Sequence, residues 1–446
     1  MNQSINFSEL TWEEGFDCSC GKHHKSEVKD IIIGNGVLNQ IPELVKKHGG
    51  SKPFLLADKN TYQAAGKKVA SILDENDIPY TSYIYPQEHL EPDELAMGQA
   101  AMNFDIDCDI IIVVGSGTLN DTGKMLAKIT NRKFIIVATA PSMDGYASKT
   151  SSMISAGVKV TLPSAYSTAI IADMDIISQA PMKLLQAGLG DMIGKYTSIC
   201  EWRISNIING EYYCEQVASL VRHALKRCIQ SVEGLLTRDH AAIRNVMEGL
   251  ILSGIAMSFA GISRPASGIE HYFSHVWEMR ALEFKTNSDL HGIQVGIGTV
   301  LALKIYEQLK SIKPNKEKAL KHVEQFSLEE HQSFLRQFLG KGAESLILLE
   351  KKEGKYDKKK HKNRLERILE RWDDILEVIQ QELPNHEEIS KLLDKIGVPN
   401  DPSALGFSPE LVINSFHATK DIRDKYNVSN LLWDLGELDK AEKALV

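Results

Sequence analysis

Basic residues are too few in this chain to coat a nucleic acid. The 51 Lys and Arg are outnumbered by 59 Asp and Glu, for a formal net charge of −8, whereas a nucleic-acid binder carries a strongly basic face. Cysteine is scarce as well. Six in 446 residues, with no secretory signal, exclude a disulfide framework and point to reduced thiols in a cytosolic protein. Long apolar runs are missing. The longest nearly uncharged stretch, Gly249 to Ile262, has fourteen residues, short of the ~20 that span a bilayer, and it reads as a buried helix. The opening MNQSINFSELTWEEGF holds acids and no apolar core, so it reads as neither a signal nor a transit peptide. No internal repeat or low-complexity tract occurs. A cytoplasmic protein is expected, without stable membrane insertion and without nucleic acid.

What the chain does have is ordinary globular material, 43% hydrophobic and 25% charged. That is enough to bury about three quarters of its unfolded surface. Its length suits about three domains, or two larger ones. In the first half, short Ile/Val/Leu runs end at Gly, Asp or Pro: Asp30–Ile33, Pro53–Ala57, Asp109–Val114 and Phe134–Thr139. Such continuous runs are the signature of strands buried on both faces of a parallel sheet. Amphipathic segments lie between them, at Gln40–His48, Tyr62–Asn76, Leu95–Asn103 and Leu119–Ile129. Repeated strand–helix units predict a doubly wound α/β domain that binds ligand beyond the carboxyl ends of its strands. After about Leu184 helical periodicity takes over. The expected fold is therefore an α/β, Rossmann-like nucleotide-binding domain over residues 1–175, followed by an all-α domain over 176–446, with the boundary near 160–185. The charged run Lys351–Arg371 is expected to be a solvated helix or an excursion from the fold.

Two constellations could carry chemistry. The first is Gly115-Ser116-Gly117-Thr118-Leu119-Asn120-Asp121, placed after a strand and opening a helix. Glycines there let backbone amides approach a phosphate at a helix N-terminus. Thr139-Ala140-Pro141-Ser142, after the next strand, would add donors beside it. A glycine turn also simply ends strands, and this one fits neither the dinucleotide fingerprint nor the Walker loop, so both readings stand. Asp58, closing an earlier strand, is placed to accept from a ribose diol and would favour NAD over NADP. The second constellation is Asp191, His271, His275 and His291. His271 and His275 stand at i and i+4 on one helix face, and the glycines after His291, in HGIQVGIGTV, permit close helix approach. A carboxylate with two neutral imidazoles could hold a divalent cation with open positions; buried histidines of a core are the competing reading. Cys18-Ser-Cys20-Gly-Lys-His23-His24 fits no standard zinc spacing and reads as incidental. Cys108, Cys200, Cys214 and Cys228 read as core thiols.

Taken in order, DIIIVVGSGTLND, TAPSMDGYAS, GLGDMIGKYTS, GIEHYFSH and LHGIQVGIGT resemble the sn-glycerol-1-phosphate dehydrogenase family, within the iron-containing alcohol dehydrogenase and dehydroquinate synthase superfamily. The resemblance covers roughly residues 25–310 and looks closest to the bacterial branch, including the FDCSCGKHH beginning. It implies NAD(H) or NADP(H), one divalent metal (Zn²⁺ or Ni²⁺), and reduction of dihydroxyacetone phosphate to sn-glycerol 1-phosphate. Residue by residue, it implies Asp191, His271 and His291 as metal ligands, and Asp144, Asp191 and His275 as substrate contacts. For the cofactor it implies Asp58, Gly115, Ser116, Gly117, Thr118, Leu119, Thr139, Ala140, Pro141, Ser142 and Ser148. A homodimer and a role in glycerophospholipid synthesis follow from the same resemblance; the proton for the developing alkoxide is expected to come through His275 or a metal-bound water, since imidazole titrates near working pH. Lys195 and Arg264 are guesses for charge near the phosphate. The alternatives are a glycerol or polyol dehydrogenase acting on an unphosphorylated substrate, a dehydroquinate synthase, whose metal set has Glu where Asp191 stands, and a non-catalytic nucleotide-binding protein.

Overall fold

Four runs of Ile, Val and Leu supply four strands of a parallel sheet. In the computed structural model, which describes residues 14–445, they form β3 (Asp30–Gly34), β4 (Pro53–Asp58), β6 (Ile110–Gly115) and β7 (Lys133–Ala138). The stretch read as carrying no targeting signal lies, up to residue 13, outside the described residues. Two further strands complete the sheet, β5 (Thr81–Tyr85) and β10 (Ala169–Asp173), in the order β3-β10-β7-β6-β4-β5. All neighbours pair in parallel. Every residue of β6 is buried, as the continuous apolar run requires of a strand covered on both faces. From β4 the chain moves outward to β5 and then returns to the other side as β6, which makes the carboxyl ends of β4 and β6 a topological switch point.

Two small antiparallel hairpins stand apart from this sheet. β1 (Phe16–Asp17) pairs with β2 (His23–His24), and β8 (Thr150–Ser155) pairs with β9 (Val158–Pro163).

The chain divides into two compact units, residues 1–192 with 219–262, and 193–218 with 263–446. The first therefore runs past residue 175 and takes in the apolar helix His240–Ala260. This helix is long and apolar enough to cross a membrane, yet 83% of its apolar window is buried inside the protein, the pattern of a core helix. The Gly249–Ile262 stretch contributes most of it.

The second unit is helical. Its centre is the pair Ile269–Phe284 and His291–Leu309, with Lys195–Asn209 and Pro409–Thr419 around it. The charged run is ordered as the helix Lys358–Glu370, which buries His361, Leu365 and Ile368 along one stripe. Its Arg364 grips the buried Asp434 carboxylate through two bonds of 2.7 and 2.8 Å. The segment is thus a packed surface helix with a solvated outer face.

Candidate active-site residues

The glycine turn sits where strand physics puts it, at the carboxyl end of β6. The helix Gly117–Thr130 begins directly behind it, with Ser116 as its N-cap residue. A Cβ on Gly115 would lie 2.5 Å from the Leu119 side chain, so glycine is needed for the chain to turn this tightly. The second turn lies beside the first. Thr139 donates its N–H to the Gly115 carbonyl (3.1 Å), and the Ser116 and Ser142 hydroxyls meet at 3.1 Å. The Tyr146 hydroxyl donates to the Ala140 carbonyl at 2.6 Å and pins that turn from below. Asp58 closes β4, next to β6 in the sheet. Its carboxylate caps the following short helix by accepting from the Thr61 N–H at 2.7 Å.

A buried cation that the sequence reading missed supports this region. Lys124 is fully buried and donates from Nζ to the Gly145 carbonyl (3.0 Å), the Ser148 hydroxyl (3.2 Å) and the Thr150 carbonyl (2.6 Å). Burial pulls its ammonium below the usual lysine range, partly offset by Asp121. Ser148, whose hydroxyl also lies 3.1 Å from the Gly145 and Thr150 carbonyls, is therefore held partly through Lys124.

Asp191 lies near the end of the helix Met182–Ile193 and is completely buried. It accepts from the Asp144 N–H at 3.0 Å, while Asp144 itself accepts from the Ser253 hydroxyl at 2.8 Å. Glycine makes this possible. A Cβ on Gly188 would meet the Pro141 carbonyl oxygen at 1.9 Å, so the GLGD segment packs its backbone onto the Thr139–Ser142 turn.

In the second unit, His271, His275 and His291 come together. The His271 ring centroid lies 5.2 Å from that of His291 and 6.5 Å from that of His275, and the last two are 5.6 Å apart. Two carboxylates, neither singled out from the sequence, orient the imidazoles. Glu270 holds His271 Nδ1 at 2.7 Å, and Glu278 holds His291 Nδ1 at 3.1 Å and His275 Nδ1 at 3.3 Å. The Ser274 hydroxyl is 3.0 Å from His291 Nδ1. A carboxylate on Nδ1 keeps the proton there and makes Nε2 the lone-pair atom, the usual support of a metal-binding histidine. Burial opposes the charge on Glu270, but hydrogen bonds from His271, Thr197 and the Gly268 N–H, with the charge of His271, hold it below the usual carboxylate range. Helical spacing was the available signal for Glu278, which follows His275 by three residues and so shares its face.

Known proteins resemble this chain over much of its length. Residues 32–181 match the iron-containing alcohol dehydrogenase family model. A Bacillus licheniformis glycerol-1-phosphate dehydrogenase (NAD(P)⁺) is 37% identical over 313 residues, 69% of this chain and 77% of the relative. This chain belongs to the glycerol-1-phosphate dehydrogenase family. It is an NAD(P)-dependent oxidoreductase. The glycerol-1-phosphate dehydrogenase (NAD(P)⁺) of Geobacillus thermodenitrificans is 29% identical over 98% of both chains. The crystal structure of glycerol dehydrogenase from Schizosaccharomyces pombe shares the fold, with a TM-score of 0.61, 17% identity, and coverage of 96% of this chain and 93% of that one.

Within this family member, the two guesses for phosphate-binding charge land on buried groups. Arg264 is 2% exposed and spends its guanidinium on both Glu211 oxygens (2.7 and 2.5 Å), the Ser205 hydroxyl and the Tyr426 carbonyl. This corrects the guess, because a guanidinium whose fork is filled by a carboxylate is a structural tie. Lys195 is fully buried and donates to the Ala266 carbonyl at 3.0 Å.

Proposed function

We propose that this chain reduces dihydroxyacetone phosphate to sn-glycerol 1-phosphate with NADH or NADPH, at a divalent cation held by Asp191, His271 and His291. The observation that carries the proposal is the orientation of the two imidazoles, each with Nδ1 tied to a carboxylate and Nε2 left as the lone-pair atom. Two neutral imidazoles and one carboxylate suit a borderline cation such as Zn²⁺ or Ni²⁺, and these donors are chemically fit for it. When bound, the cation supplies Lewis-acid polarisation of a ketone and the nicotinamide supplies hydride.

The chain's own residues do the rest. The Gly115–Leu119 and Thr139–Ser142 turns offer N–H groups and hydroxyls to the cofactor phosphates, and Asp58 accepts from a ribose hydroxyl. Asp144, anchored by Ser253, positions the substrate. His275, its Nδ1 proton kept by Glu278, would carry a second proton on Nε2 as imidazolium and pass that one to the substrate oxygen as the oxygen gains charge, returning to the neutral ring. Family membership supports a homodimer in the cytoplasm whose product enters glycerophospholipid synthesis.

The test is a metal-stripped preparation, reconstituted with Zn²⁺ or Ni²⁺ and assayed for NADH oxidation. Activity should vanish on stripping, return with either ion, and favour dihydroxyacetone phosphate over dihydroxyacetone. Reduction that survives chelation sinks the metal role; equal turnover of both ketones would move the chain to the polyol dehydrogenases.

A further inference from the structure

The N-terminal hairpin is too small to hold itself. β1 and β2 have two residues each, Phe16 facing His24 and Asp17 facing His23, and an isolated two-stranded hairpin is marginal even when longer. Its turn is tight. The Cys18 N–H donates to the Lys22 carbonyl at 3.0 Å, the Gly21 N–H donates to the Cys18 carbonyl at 2.9 Å, and Gly21 has φ +84°.

The turn gathers two thiols and one imidazole. Ligand atoms of Cys18, Cys20 and His24 all lie within 4.8 Å of one another, and Cys20 Sγ is 3.4 Å from His24 Nε2. With metal–sulfur and metal–nitrogen bonds of tetrahedral zinc, the sulfur–nitrogen edge is about 3.6 Å, so the two atoms already stand at ligand separation. His24 is fully buried, and its Nδ1 pairs with the Phe259 carbonyl at 2.9 Å. That backbone acceptor fixes the proton on Nδ1 and aims the Nε2 lone pair at the sulfurs, as second-shell partners of zinc-bound histidines do. The Cys20 N–H donates to Cys18 Sγ, 3.5 Å away, which turns that sulfur to the same side as Cys20.

We propose that Cys18, Cys20 and His24 bind a structural zinc ion, separate from the catalytic cation. One dication balances two thiolates in a buried setting and staples the hairpin, as metals do in scaffolds too small for a core. The sequence spacing, read alone as incidental, is accounted for by the turn: CxC places two sulfurs on one side of it and β2 returns His24 to meet them. The staple also fastens the hairpin to the end of the helix His240–Ala260, whose last carbonyls accept from His24 and from Lys22 Nζ (3.2 Å). That same helix carries Ser253, which holds Asp144.

Metal analysis of the full-length protein, prepared with zinc, tests the proposal. The wild-type chain should carry two ions. The Cys18→Ser/Cys20→Ser double variant should lose one, and Asp191→Ala should lose the other. In cobalt-substituted protein, a thiolate-to-cobalt charge-transfer band should persist in Asp191→Ala and vanish in the cysteine variant, which keeps this proposal's failure distinct from failure of the catalytic assignment. Should the cysteine variant not fold, the wild type still decides. Cys20, which is partly exposed, should resist alkylation until a strong chelator is added. Alkylation of Cys20 at the same rate with and without chelator, a Cys18–Cys20 disulfide in the purified chain, or a full metal complement in the folded cysteine variant would each overturn the proposal.

Discussion

Gly298 lies so close to Glu270 that a Cβ added to it would sit 2.5 Å from the Glu270 carbonyl oxygen. This contact sets the spacing of the helices His291–Leu309 and Ile269–Phe284, and with it the separation of the His271 and His291 rings. Gly298→Ala must push the two backbones apart, and overpacking of this sort costs about 1–3 kcal/mol. Thermal unfolding should show a lower midpoint, and zinc titration a weaker catalytic site, while the KM for NADH stays near the wild-type value. Unchanged zinc affinity would separate the helix spacing from the metal site.

Glu278 serves two imidazoles at once, one oxygen on His291 and the other on His275. Replacing it with Gln removes the negative charge that keeps both Nδ1 protons in place. Losses of 10–100-fold in metal affinity are typical, roughly, when such a partner is removed, and competition with a chromophoric chelator should register a loss in that range. Turnover should fall as well, because the His275 ring loses the carboxylate that orients it. An unaltered affinity and turnover would leave Glu278 a packing residue.

How far the sequence reaches is visible in particular residues. β6 and β7 were legible because buried parallel strands need unbroken apolar runs. β5, reading TSYIY at the sheet edge, was missed because its polar residues dilute that signal. β10 was missed because AIIAD is short and falls in the stretch taken as the domain boundary. His271 and His275 showed themselves by helical spacing, and His291 by its nearness to them in an apolar helical stretch. Glu270, Glu278 and Lys124 did not, since an acid or a lysine on a helix ordinarily faces water; only packing reveals that these are enclosed. The hairpin residues Cys18, Cys20 and His24 read as incidental because a turn, unlike a helix, imposes no period that could be counted.

Lys124 offers a test of indirect support for the cofactor region. Lys124→Met fills a similar volume but leaves the Gly145 and Thr150 carbonyls and the Ser148 hydroxyl without their shared donor, and it takes from Asp121 the cation 3.2 Å away, leaving its carboxylate to the Ser152 N–H. Removing one partner of a buried charged network costs about 3 kcal/mol or more. Chemical unfolding should show that loss. Steady-state kinetics should show a raised KM for NADH with a smaller effect on the KM for dihydroxyacetone phosphate, since Ser148 is the side chain that loses a tie. An equal rise in both would mean general loosening of the unit.

Glu201 gives the chain a pH dependence whose sign can be worked out. Its carboxyl is fully buried, accepting from the N–H groups of Ile269 and Val428, both at 2.9 Å. Burial, reinforced by the negative charge of Glu270, pushes its pKa up to about 8, against about 4.3 for an unfolded glutamate. Between those values the folded chain keeps a proton that the unfolded chain has released. Stability drawn from this group is therefore complete below about pH 4 and drains away as pH rises, by about 1.4 kcal/mol per unit, until the folded group ionises near pH 8. Glu201→Gln keeps the shape and a hydrogen-bond acceptor but cannot ionise. Urea unfolding of both chains from pH 5 to 9 should show the variant gaining on the wild type up to about pH 8 and holding its advantage beyond. A constant difference across that range would mean that Glu201 is ionised in the folded protein throughout, with its charge balanced by Arg264 and the two backbone donors.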